Sequence, residues 1–151
     1  MSQNDHILTV LADAVTSELN AASPGTFDLA FTAQRLYRPR YQVEDLAELR
    51  ISVVPRGVTI EGATRSVDTH EMQVDVAVQQ KLPAPDSEAD AIDALMTLVQ
   101  QIGDYLRRRR LDSIQDAVWT GIENNPVYAV DHLDELRVFT SVLTLTYRVL
   151  R

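Results

Sequence analysis

Between Glu71 and Leu82 the chain alternates without interruption. Its even positions read Met72, Val74, Val76, Val78, Gln80 and Leu82, and its odd positions Glu71, Gln73, Asp75, Ala77, Gln79 and Lys81. Successive side chains leave a strand on opposite sides, so this period predicts a β-strand with one buried and one wet face. A sheet with a wet face is covered on one side only, and such sheets are usually antiparallel. The remaining segments then read either as more of that sheet or as helices that cover it.

The chain has 151 residues, which suits one domain, 1–151, with a single core. Apolar content of 45% and charged content of 24% are those of an ordinary globular protein. Fourteen basic residues against 22 acidic ones leave a net charge of −8, the wrong sign for a dedicated nucleic-acid binder. The absence of cysteine excludes disulfides, thiolate metal sites and cysteine nucleophiles. Met1 to Asp5 is polar, and no apolar run approaches the roughly 18–20 residues of a membrane span. Neither an export signal nor a membrane partner is expected, and the chain reads as made and used in a cytoplasm.

Asn4 or Asp5 can cap a first helix, in which Ile7, Leu8, Leu11, Ala14, Val15 and Leu19 follow at helical spacing. Asp13, Thr16, Ser17 and Glu18 fall mostly on its other side, and Ser23-Pro24-Gly25 ends it near Ala22. Phe27 to Tyr37 reads as a strand stopped by Pro39, and Val43 to Leu46 as one helical turn. Leu49 to Val54 reads as a second strand closed by Pro55-Arg56-Gly57, and Val58 to Arg65 as a third. Ser66 to His70 is a hairpin connection or an extended loop before the alternating strand.

After Pro83-Ala84-Pro85, Asp86 or Ser87 can cap a long helix. Ile92, Leu95, Met96, Val99, Ile102 and Leu106 give it a clean apolar face. Ala117 to Glu123 and Val138 to Leu150 read as the last two strands, with a loop and one helical turn over Tyr128 to Leu136 between them. The expected fold is α+β: a mainly antiparallel mixed sheet of about six strands with two amphipathic helices packed on it. The order is helix, four strands, long helix, two strands. Val74, Val76, Val78, Leu95, Val99, Ile102, Leu143 and Leu145 are the expected core.

No constellation in the sequence carries chemistry. His6, His70 and His132 are far apart, and His132 with Glu135 supplies two ligands without a third, so no metal site is expected. There is no GxGxxG, no Walker lysine and no G-x-S-x-G elbow, and no spacing singles out a triad. The pairs Asp90/Asp93 and Asp134/Glu135 fall on solvated faces. No catalytic residue and no cofactor are expected.

Two basic stretches are candidate contact residues. Arg35, Arg38 and Arg40 lie among Tyr37 and Tyr41, and Arg107, Arg108, Arg109 and Arg110 end the long helix. The first reads either as a solvated strand end or as a contact patch, since arginine and tyrosine are enriched at interfaces. The second reads either as cations placed favourably at a helix C-terminus or as a basic contact for an acidic partner or passing DNA.

Five stretches carry a family resemblance. They are Arg-Leu-Tyr-Arg-Pro-Arg-Tyr (35–41), Val-Val-Pro-Arg-Gly (53–57), Ala-Thr-Arg-Ser (63–66), Val-Asp-Val-Ala-Val-Gln-Gln-Lys (74–81) and His-Leu-Asp-Glu-Leu-Arg-Val-Phe-Thr-Ser-Val-Leu-Thr-Leu-Thr-Tyr-Arg (132–148). With the order of elements, the chain resembles small neck and tail proteins of tailed phages and prophages, and in architecture is similar to the tail terminator, or tail completion, family. The resemblance covers nearly the whole chain, and its motifs are structural rather than chemical.

It implies a non-enzymatic virion protein, made in a bacterial cytoplasm, that forms a homohexameric ring. The ring caps the tail tube, stops its polymerisation and joins it to the head-side connector or stopper; in a contractile tail it also meets the sheath protein. DNA passes through without specific binding, so a net acidic or neutral lumen is expected, with Arg107 to Arg110 pointing away from it. Sheet edges are natural sites for ring contacts, and both the C-terminal strand and Leu49–Val54 are candidate edges. Two other classes stay open. One is another neck element, a head-completion or connector protein, which a dodecamer would select. The other is a small enzyme or unrelated binding module, which turnover or a polar pocket would favour.

Overall fold

The computed structural model describes residues 6–38 and 43–151. Asn4 and Asp5, the candidate caps, and Pro39, Arg40 and Tyr41 of the first basic stretch lie outside these. The elements run α1 (Ile7–Asn20), β1 (Ala33–Arg35), β2 (Arg50–Gly62), β3 (Asp68–Lys81), α2 (Glu88–Leu106), β4 (Val118–Glu123) and β5 (Val138–Leu150). Short 3₁₀ turns cover Val43–Ala47 and Pro85–Ser87, and one π-turn covers His132–Leu136.

The alternating segment becomes β3, the central strand of a five-stranded sheet ordered β1-β2-β3-β5-β4. β3 pairs antiparallel with β2 on one side and β5 on the other, Val76 lying opposite Val53 and Leu143. Directly opposed residues share a face, so Val53, Val76 and Leu143 point together towards the helices. Val74, Val76 and Val78 join Leu11, Val15, Leu98 and Ile102 in one core. The eight expected core residues are all buried there. α1 packs over β1, β2 and β3, and α2 over β5.

Four expectations are corrected. Phe27 to Tyr37 is not one strand: β1 spans Ala33–Arg35 and runs parallel to β2, which makes the sheet mixed. Residues before it pack on α2 instead, where Phe27 meets Tyr105 at 5.4 Å between ring centroids and Asp28 N–H donates to Gln101. Asn20 at the end of α1 fixes β1, its side-chain amide accepting from Ala33 N–H and donating to Ala33 C=O.

The expected strands Leu49–Val54 and Val58–Arg65 merge into the single strand β2, which ends at Gly62, because Pro55-Arg56-Gly57 is a bulge rather than a turn: Pro55 opposes Val74, Gly57 opposes Gln73 and Arg56 is the extra residue. The extra residue shifts the phase, so helix-facing positions change from odd (Ile51, Val53) to even (Val58, Ile60). Five strands result among the described residues rather than about six, three of them before α2. The third correction concerns edges: β5 lies between β3 and β4, and the first half of β2 is covered by β1. Among the described residues, the free edges are those of β1, β4 and the part of β2 beyond Val54. The fourth concerns the wet face: Ser52, Val54, Ala77, Gln79 and Thr140 are buried on it, beneath the 3₁₀ turn at Val43–Ala47, which packs on β3, and the π-turn, which packs on β5.

Caps differ in detail. His6 caps α1, its Nδ1 accepting from Leu8 N–H at 3.1 Å. Ser87 stands at the N-cap of α2 without a side-chain hydrogen bond. The core register has a direct test in chemical denaturation. Val76→Ala should cost about 1–3 kcal/mol through lost burial and a cavity, and Gln73→Ala, on the other face, less than about 1 kcal/mol. Equal losses at the two positions would contradict the assigned register.

Candidate functional site

α2 stops at Leu106, so the four arginines do not extend it. Arg107 leaves the helix with an extended backbone while its N–H still donates to Gly103 C=O. Arg108 then takes a left-handed conformation (φ 59°), the position where helix ends usually place glycine. Arg109 N–H returns to Leu106 C=O at 3.1 Å. This turn separates the roles of four like residues.

Arg109 folds back onto the protein. Its guanidinium lies 3.7 Å from the centre of the Tyr105 ring, its Nε donates to Tyr105 C=O at 2.9 Å, and its Nη1 is 3.7 Å from Glu18 Oε2. Glu18 is buried in the last turn of α1. It follows Leu8, Leu11 and Val15 at helical spacing, so it lies on the apolar stripe rather than on the solvated side. Its Oε1 accepts from Asp112 N–H at 3.2 Å, and its backbone C=O accepts from the Tyr105 hydroxyl at 2.9 Å. Glu18 thus ties α1, α2 and the segment after α2 together. A carboxylate in this setting depends on its partners, because removing one leaves buried charge uncompensated.

The buried Tyr147 hydroxyl has no hydrogen-bond partner among the described residues. Burial raises this phenol well above the ordinary tyrosine range, and the Glu18 charge acts in the same direction. It stays neutral where an exposed tyrosine would ionise.

Arg108 and Arg110 are exposed and, with Arg107, form no ion pair with a described residue. Arg108, Arg109 and Arg110 border a cavity of about 470 Å³ that Gln115 and Trp119 also line. Two unpaired guanidinium groups at such an opening fit carboxylate or phosphate groups of a partner, which arginine can bind bidentately.

The other basic stretch sits at the opposite edge of the sheet. Arg35 on β1 bonds Asp13 of α1 at 2.6 Å, and its guanidinium lies 5.1 Å from the Tyr37 ring centre. The hydrogen bonds to Tyr37 and Asp13 hold its pKa further above the ordinary arginine value. Arg35 is therefore a brace, while Arg38 is exposed and Tyr37 is 73% exposed. The structure does not bring the two arginine groups together, because one lies at β1 and the other borders Trp119 of β4.

The histidines are also dispersed. His6 caps α1, His70 lies on the helix-facing side of β3, and His132 bonds Thr140 on the other face at 2.8 Å. Among the described residues no group of three His, Cys, Asp or Glu side chains is placed to hold a metal. On the outer sheet face, Arg56 pairs with Asp75 and Arg148 with Glu71. No helix is long and apolar enough to cross a membrane among the described residues.

Two measurements separate these roles. Arg109→Ala should lower stability by about 1–3 kcal/mol, through the cation–π contact and the stranded Glu18 charge. The double variant Arg108→Glu/Arg110→Glu should change it by less than about 1 kcal/mol; the reverse order in urea unfolding would refute the division. For Tyr147, folded and unfolded phenols are both protonated below about pH 10. Above that the unfolded chain releases a proton the folded chain retains, so stability falls as pH rises, by roughly 1 kcal/mol per pH unit. Tyr147→Phe should remove that part of the alkaline loss while costing little at pH 7, because no hydrogen bond is broken. An unchanged alkaline slope would show that Tyr147 is not its source.

No protein-family model matches the chain, and no curated protein matches it.

Proposed function

We propose that the chain is a structural virion protein, a ring-forming tail terminator that caps a phage tail tube and joins it to the head-side connector. The observation that carries this reading is that several of the exposed apolar side chains lie at opposed edges of one sheet. Tyr37 (73% exposed) and Ile60 (58%) lie at the β1–β2 edge, and Val118 (61%) lies on β4. Val127 and Val130, also exposed, follow β4 in the chain. When two unlike surfaces on opposite sides of a protomer pair with each other, the contact is heterologous rather than isologous. Such head-to-tail contacts close into a ring when the rotation allows.

Charge supports the same reading. Six copies at −8 each would carry about −48, a field that repels DNA phosphate from a channel. Arg56 and Arg148 on the outer sheet face are already paired with carboxylates. Arg107, Arg108 and Arg110, which form no ion pair with a described residue, can engage an acidic neighbour, the tail tube or the connector. In this reading they point away from the DNA path and Arg109 stays structural.

Mass measurement of the purified chain, with and without tail tubes, tests the proposal. Assembled tails should carry a ring of six copies. A ring of twelve would assign the chain to the head-side connectors, and any other ring on an assembled tail would overturn the terminator reading.

A further inference from the structure

A groove of about 670 Å³ runs between α2 and β4, floored by Met96, Ile122, Val127 and Leu143. Asp93 and Asp104 stand on its α2 wall, both exposed and without an ion-pair partner among the described residues. Arg107 closes one end, which leaves two carboxylates against one guanidinium. The groove therefore suits an apolar side chain flanked by positive charge.

The chain carries such a group at the other edge of its own sheet. Tyr37 is the most exposed of its large hydrophobic side chains among the described residues. Arg35, itself anchored to Asp13, supports the Tyr37 ring, and exposed Arg38 follows. A braced aromatic loses little freedom on docking, and tyrosine and arginine commonly dominate contact energies.

We propose that Tyr37 of one copy inserts into the α2–β4 groove of a second copy, with Arg38 meeting Asp104 at its rim. The contact deepens the ring reading and rests on it for closure at six, but the docking itself requires only two copies. Because the knob and the groove lie at opposite edges, each copy can use both at once. Such a contact is head-to-tail and propagates from copy to copy. The opposite charges on the two surfaces set orientation and disfavour knob-to-knob pairing.

The chain contains no cysteine, so introduced thiols report only on each other. Full-length Arg38→Cys and Asp104→Cys variants, mixed at high concentration under mild oxidation, should form a disulfide-linked pair. A control mixture of Arg38→Cys with Asp68→Cys should not. In sedimentation, Tyr37→Ala should weaken self-association about thirtyfold or more. Arg38→Glu and Asp104→Arg should each weaken it, and combining them on one chain should restore it.

Association without a 38–104 link above control, or unaffected by Tyr37→Ala, would overturn the docking and leave the ring reading standing. Absence of both association and link would also overturn the docking. On assembled tails, a chain carrying both cysteines that gives a linked ladder never closing at six would support the docking and overturn the ring of six.

Discussion

The pairing register of β3 governs the rest of this fold. Among the described residues, β3 is the only strand hydrogen-bonded to two long neighbours, β2 and β5. A slip of one residue on either side would turn Val74, Val76 and Val78 away from the helices and expose them. That penalty keeps both neighbours in register and so determines which of their residues face inward. The bulge at Arg56 matters for the same reason. Without its extra residue, Val58 would turn to the outer face, and the far half of β2 would lose its apolar contact with the core.

A second constraint joins the helical layer. α1 and α2 each bury an apolar stripe on the sheet, which positions them without fixing how α1 meets the chain beyond α2. Glu18 supplies that restraint. Its carboxylate takes one backbone N–H and one guanidinium, and its carbonyl takes the Tyr105 hydroxyl. Hydrophobic burial is non-directional, whereas this set of contacts has a geometry. The left-handed turn at Arg108 brings Arg109 back to Glu18, so the way α2 ends and the tie to α1 are parts of one arrangement.

Much of the fold was legible because it rests on periodicity. β3, β5 and the apolar face of α2 each carry a repeat long enough to assign a face. What was not legible depended on partners distant in sequence. Pro55-Arg56-Gly57 has the composition of a turn, and only pairing with β3 makes it a bulge. Phe27 to Phe31 has strand-like alternation, but the Phe27 ring and the Asp28 N–H are engaged by α2. Asn20 closing onto Ala33 left no local signal. Glu18 did leave one, three residues after Val15 on the apolar stripe, and its charge hid it. Of the candidate site, the sequence marked Arg35, Arg38 and Arg107 to Arg110 alike. Separating Arg35 and Arg109 as braces from Arg38, Arg108 and Arg110 as free cations required Asp13 and Glu18, both distant in sequence, and the turn that lays Arg109 back over Tyr105.

The sheet edges bear on how this protein meets its neighbours. Unpaired strand edges invite indiscriminate backbone pairing, and both edges here limit it. β1 has three residues, and the free part of β2 begins at a proline and a bulge. β4 has six residues and is bulged at Thr120, whose hydroxyl bonds back to Thr146 C=O. Bulges increase twist and break the regular spacing that a new strand would need. Extension of the sheet from copy to copy is thus disfavoured, while the exposed apolar side chains beside the same edges remain available. Contacts through side chains are more selective than contacts through backbone, because the backbone pattern is common to every strand. In the proposed ring, this division would let copies join in one geometry without pairing to unrelated edges.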